Sequence, residues 1–217
     1  MYNGIVSLTF DDGWLSQYDY ARPILDRYDI KGTFYIITEN IKSTLPGRFG
    51  PAEILALQAG GHEIGAHTVS HPNLFYTFPW KGHEILSSKH DLAGIGVEAQ
   101  SFAYPYGNHH WLVRRMVKKS GFSNSRVVDG RFNGTNRNQW LISGKCISNT
   151  TTISKVRSWI QTAIEKKYFL VLIFHQVEEN PPSYGCTPSF LEEICQLLIS
   201  ADLPTATLSD GWKLSQK

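Results

Sequence analysis

The strongest constraint on this chain is the order of its apolar segments. Short β-rich runs alternate with segments of helical spacing from one end to the other. Residues 5–10, 32–38, 62–66, 100–103, 122–127, 145–148, 169–174 and 204–208 read as strands. Residues 18–28, 53–59, 81–93, 111–119, 153–166 and 189–200 carry apolar side chains at helical intervals, with Pro23 weakening the first turns of its segment. A parallel strand pair cannot close through a tight hairpin and needs a crossover, usually a helix. Strands alternating with helices of this length therefore predict an α/β fold around a mostly parallel sheet. A chain of 217 residues suits a single α/β barrel. No repeat, low-complexity tract or long linker breaks the pattern, so one domain over residues 1–217 is expected. Residues 40–50 and 128–144 are the least regular and read as loops.

Composition narrows the function classes. Apolar residues make up 41% and charged residues 18%, enough for a sizeable core and unlike a disordered chain. Net charge is +2, which gives no large field to steer nucleic acid or an anionic membrane. No apolar run approaches the roughly 20 residues of a membrane span. Cys146, Cys186 and Cys195 are odd in number and widely spaced, which argues against a disulfide framework or a cysteine-based zinc site. The ten residues before Asp11 read as strand, not as an export leader. The expectation is a cytoplasmic protein if Met1 is the native start, with a trimmed exported protein as the alternative.

The polar clusters follow the strand signals. Asp11-Asp12 follows the first, His67 and His71 the third, Tyr104-Pro105-Tyr106-Gly107 the fourth, and His175 the strand at 169–174. In a barrel of parallel strands those ends share the C-terminal face, where active sites lie. His67 and His71 are four apart, so on one helical turn they point the same way, as a metal pair requires. Two ordinary surface histidines are the plainer account of that spacing alone. The aspartates at another strand end shift the balance to a two-His, one-carboxylate site with positions left for water and substrate. Trp14 is read either as a sugar-stacking ring or as packing.

These residues also resemble a known family. Thr9-Phe10-Asp11-Asp12-Gly13 and His67-Thr68-Val69-Ser70-His71 match the first two motifs of the polysaccharide deacetylases (carbohydrate esterase family 4). Ser101–Gly107 and Leu172–His175 resemble the third and last. The Phe-Ala-Tyr-Pro-Tyr-Gly form is nearest to the subgroup acting on poly-N-acetylglucosamine. The resemblance implies a distorted, incomplete (β/α) barrel and metal-dependent hydrolysis of an N-acetyl group on a sugar of a surface glycan or its precursor. By motif, Asp11 is the general base, and Asp12, His67 and His71 hold one divalent ion, usually Zn2+. His175 is the general acid, the Tyr106 N–H contributes to an oxyanion hole, and Ile173 lines the pocket for the acetyl methyl. The division makes chemical sense. An amide is a poor electrophile and water a poor nucleophile, so a metal and a separate, uncoordinated base are both needed.

One departure carries an expectation of its own. Many family members have an arginine at the position of Ala103 that pairs with the catalytic aspartate. Lys145 is expected to replace that cation here, with Arg137 as the alternative. Three other functions compete. A deformylase or other small amidase would use the same chemistry. A silent glycan-binding module would have no reason to keep Asp11, His175 and all three ligands. A non-haem iron oxygenase shares the two-His, one-carboxylate set, but the order of residues here opposes it. The expected partner is an N-acetylated sugar or oligosaccharide, with no nucleic acid and no membrane span.

Overall fold

Seven parallel strands wind in sequence order into a closed barrel in the computed structural model, which describes residues 4–43, 45–76, 81–135 and 137–217. They are β1 (Ile5–Phe10), β2 (Thr33–Ile36), β3 (Glu63–Ala66), β4 (Ser101–Ala103), β5 (Asn124–Val128), β6 (Ile142–Cys146) and β7 (Phe169–Phe174). The helices are α1 (Arg22–Arg27), α2 (Glu39–Ser43), α3 (Pro51–Ala59), α4 (Lys81–Gly94), α5 (Trp111–Lys119), α6 (Ile153–Lys166), α7 (Pro188–Ser200) and α8 (Leu208–Ser215). The ring closes where β1 meets β7, in unbroken register from Ile5↔Phe169 to Phe10↔Phe174. Its thinnest seam is β3 to β4, paired only at Ala66↔Phe102. A barrel of seven strands fits the expected incomplete barrel.

Both faces of the strands are buried, as a parallel sheet covered by helices requires. Alternation then sorts the side chains. Leu8, Phe10, Phe34, Leu170, Leu172 and Phe174 point outward into the apolar layer under the helices. Ile5, Tyr35, Ala103, Ile142, Phe169 and Val171 point inward and form the barrel interior. Pro23 falls in the first turn of α1, where its missing N–H costs nothing, after a π-helical turn at Gln17–Ala21.

Three expected elements change. Residues 204–208 are not a strand: only Thr205 bridges, to Val6, and the chain then enters α8. Thr207 caps that helix by accepting from the Asp210 N–H, which ends any extended run. Leu208 and Trp212 of α8 then plug the N-terminal mouth of the barrel. The expected strand at 145–148 lies earlier, at β6, because Asn133 pins Ser143 through both its amide oxygen and its amide nitrogen. The expected loop 40–50 contains part of α2.

Candidate active site

β1 delivers two adjacent carboxylates that face different partners. The Asp11 N–H continues the ladder to the Phe174 carbonyl at 2.9 Å, so the Asp11 side chain stays on the inward face. The chain then turns through two left-handed residues, Asp12 at φ 74° and Gly13 at φ 67°. Aspartate and glycine are among the few residues that tolerate that geometry. Gln17 staples the turn, donating from Nε2 to the carbonyls of Asp11 at 2.6 Å and His175 at 2.9 Å. Trp14 donates from its indole to Asp12 Oδ2 at 3.1 Å, while the Arg48 guanidinium covers its ring at 3.2 Å from the centroid. The expected choice for Trp14 between sugar platform and packing thus gains a third answer, a partner of the Asp12 carboxylate.

His67 and His71 converge, but not through the expected helical turn. Residues 67–71 form a loop with Thr68 at φ 68° and His71 at φ 59°. The Thr68 hydroxyl bridges the loop, donating to the His67 carbonyl and accepting from the His71 N–H. The two Nε2 atoms end 3.2 Å apart. Each lies 3.6 Å from Asp12 Oδ1, which is buried and has no hydrogen-bond partner among the described residues. Metal–ligand bonds of about 2.0–2.1 Å in a tetrahedron separate neighbouring ligand atoms by about 3.3 Å. The donor set therefore fits a divalent ion. His67 Nδ1 sits 2.8 Å from the Ala103 carbonyl, an arrangement that fixes the ring and leaves Nε2 facing Asp12. Burial, and then the neighbouring His67, push His71 down to about 4, so its imidazole is neutral at ordinary pH, the form that can ligate a metal.

Asp11 does not pair with Lys145. The Lys145 ammonium donates to the Gly130 carbonyl and lies over the rings of Phe132 and Trp159, at 4.0 and 5.2 Å. Arg137 is turned to Asp129. The cation beside Asp11 is Arg126, in the middle of β5, whose Nη2 lies 2.6 Å from both carboxylate oxygens. Arg126 is the register partner of Ala103, so the charge expected at one strand arrives from its neighbour. Its side chain is fully buried, 5.1 Å from the centroid of Tyr35. Nε and Nη1 have no hydrogen-bond partner among the described residues, so the ion pair with Asp11 is the main compensation for burying this charge. Burial acts to raise the Asp11 carboxyl, but Arg126, with His67 and His175, more than offsets it and holds Asp11 below the usual carboxylate range. A sequence signal for Arg126 existed: an arginine at the centre of a strand otherwise free of charge.

The cleft above these residues, about 450 Å³, is walled by Asp11, Asp12, His67 and His71, and by Tyr106, Val128, Cys146, His175 and Tyr184. His175 Nε2 lies 4.0 Å from Asp11 Oδ2, and its Nδ1 is buried without a hydrogen-bond partner among the described residues. Tyr106 sits at φ 59° in a 3-10 turn after β4, and its ring packs edge-on against His71 at 4.6 Å. Ile173 does not line this cleft. It points into the barrel below, against Gly144, where an added Cβ would meet it at 2.4 Å. Val128 and Cys146, at the ends of β5 and β6, supply the apolar wall instead.

The polysaccharide deacetylase family model matches residues 2–125, more than half of the chain. The chain belongs to the polysaccharide deacetylase family. Curated relatives include a gellan lyase from Bacillus sp, 34% identical over 48% of this chain and 4% of that protein. A chitin deacetylase from Colletotrichum lindemuthianum is 35% identical over 33% of this chain and 28% of its own length. The chain thus spans less than a third of the length of these relatives. Among solved structures, a family 4 carbohydrate esterase from Streptomyces lividans in complex with acetate aligns at a TM-score of 0.67 and 19% identity. The alignment covers 95% of this chain and 93% of that one, so the two share a fold over nearly their whole lengths. No helix among the described residues is long and apolar enough to cross a membrane.

Proposed function

We propose that this chain removes the acetyl group from an N-acetylated amino sugar, in a surface glycan or its precursor, by metal-dependent hydrolysis. The observation that carries the reading is the pairing of two kinds of carboxylate at one cleft. Asp12 turns an oxygen that accepts no hydrogen bond among the described residues toward two imidazole nitrogens, and Asp11, its neighbour in the chain, faces an arginine instead. Family membership and the activity named for the chitin deacetylase relative support the substrate class.

Asp12, His67 and His71 would hold the ion, and two imidazoles with one carboxylate suit zinc with an open position. When bound, such an ion polarises an amide carbonyl and acidifies water. Asp11, kept ionised by Arg126, accepts the proton from the attacking water. His175, facing the same cleft, delivers a proton to the departing amine. Tyr106 lines the cleft, and its N–H would steady the negative oxygen of the tetrahedral intermediate. Val128 and Cys146, the apolar wall of the cleft, would receive the acetyl methyl.

The test is acetate release by metal-loaded protein from chito-oligosaccharides, poly-N-acetylglucosamine oligomers, and nucleotide- and lipid-linked N-acetyl sugars, with formylated counterparts alongside. Acetate from at least one of these, lost on chelation, is the expected result. Formate without acetate would move the assignment to a deformylase. Release of neither from metal-loaded protein would remove it.

A further inference from the structure

The loop that carries both histidines is held in a costly conformation. Thr68 and His71 both sit in the left-handed region, and for a β-branched residue such as Thr68 that is a genuine outlier. Such a conformation persists only where neighbouring groups over-determine it. One side of the loop is secured by its carbonyls: Thr68 O accepts from the Thr38 N–H at 3.1 Å and Val69 O from the Glu39 N–H at 2.9 Å. On the other side, the successive N–H groups of Val69 and Ser70 converge as a small anion-binding nest. One carboxylate fills it. Glu84 Oε2, from the first turn of α4, accepts from the Val69 N–H at 2.9 Å and from the Ser70 N–H at 2.9 Å. Its Oε1 accepts from the Ser70 hydroxyl at 2.8 Å.

We propose that Glu84 is a positioning residue for the metal centre: by clamping Val69 and Ser70, it fixes the spacing of His67 and His71. This rests on the metal-site reading above. Glu84 touches neither the cleft nor the ligand side chains, so its effect passes through the loop backbone. Without it two N–H groups lose their acceptor, the left-handed residues relax, and the two Nε2 atoms cease to be pre-organised at 3.2 Å. Partners outside the ligand set of a metal centre are worth about 10–100-fold in affinity, and a backbone clamp belongs near the lower end, about tenfold.

Zinc titration by calorimetry of wild type, Glu84→Ala and Glu84→Gln tests this, with apo-protein thermal unfolding recorded for each. Glutamine can reproduce all three contacts, its oxygen accepting from both N–H groups and its amide donating to Ser70. The expected result is about tenfold weaker zinc binding by Glu84→Ala and near wild-type binding by Glu84→Gln. Equal affinity in wild type and Glu84→Ala would overturn the proposal. So would a loss in Glu84→Ala that Glu84→Gln fully shares, because that assigns the effect to charge. If wild type itself binds no zinc, the metal-site reading fails first. Should Glu84→Ala not fold, Ser70→Ala, which removes one contact, is expected to weaken binding by a smaller factor, and an unchanged affinity there would overturn the proposal.

Discussion

Arg126 is the residue on which the chemistry of Asp11 turns. Replacing it with methionine leaves a buried carboxylate unpaired, and breaking such a pair costs about 3–5 kcal/mol. Its effect on the pH profile has a definite sign. Arg126 keeps Asp11 ionised below the usual carboxylate range, so activity and the stability from this pair survive to lower pH than for an ordinary aspartate. With Arg126 gone, burial is the largest influence left, and it raises the Asp11 carboxyl. The acid limb of kcat/KM against pH is expected to move to higher pH in Arg126→Met, with activity at neutral pH down about 100-fold or more. Ala103→Arg in that background returns a guanidinium from the paired strand and is expected to restore part of both. An acid limb that does not move would separate Arg126 from Asp11. His67→Ala and His71→Ala are expected to lose most bound metal by elemental analysis. Much of this site was legible in sequence, because Asp11, Asp12, His67 and His175 follow a strand at once and His71 lies on the loop that begins at His67. Arg126 was missed because a charge inside a strand has meaning only once inward and outward faces are known.

Elements failed to be read where local signals conflict with tertiary context. The run Pro204-Thr205-Ala206-Thr207-Leu208 has strand composition, but Thr207 caps a helix and Leu208 enters the barrel mouth. The T-x-x-D pattern at Thr207 and Asp210 was the available signal. Likewise H-x-x-x-H suggested a helical turn, while the structure brings the rings together through left-handed residues. α8 also gives a stability test. A Cβ on Gly211 would stand 2.8 Å from the Phe169 ring and from Ser7 Oγ. Gly211→Ala is therefore expected to destabilise by about 1–3 kcal/mol in thermal or denaturant unfolding. A change within error would mean that α8 does not seal the barrel as closely as drawn.

Across the whole molecule, the two ends of the barrel divide the work. Strand C-termini and the loops that follow them carry the groups of the cleft, while α8 closes the N-terminal end with apolar side chains. Variants at the two ends should separate: Gly211→Ala lowers stability with little change in turnover per folded molecule, while Asp11→Asn abolishes turnover. The alternation of strands and helices made the barrel readable from sequence. Its closure through α8 was not, because a plug is defined only by the mouth it fills. The division of labour between the adjacent aspartates is tested most directly by counting metal in Asp11→Asn after zinc loading, with acetate release measured on the same sample. One zinc per chain with turnover abolished is expected, since the variant removes a base and leaves Asp12, His67 and His71 in place. Loss of zinc along with turnover, or full turnover with zinc retained, would contradict it.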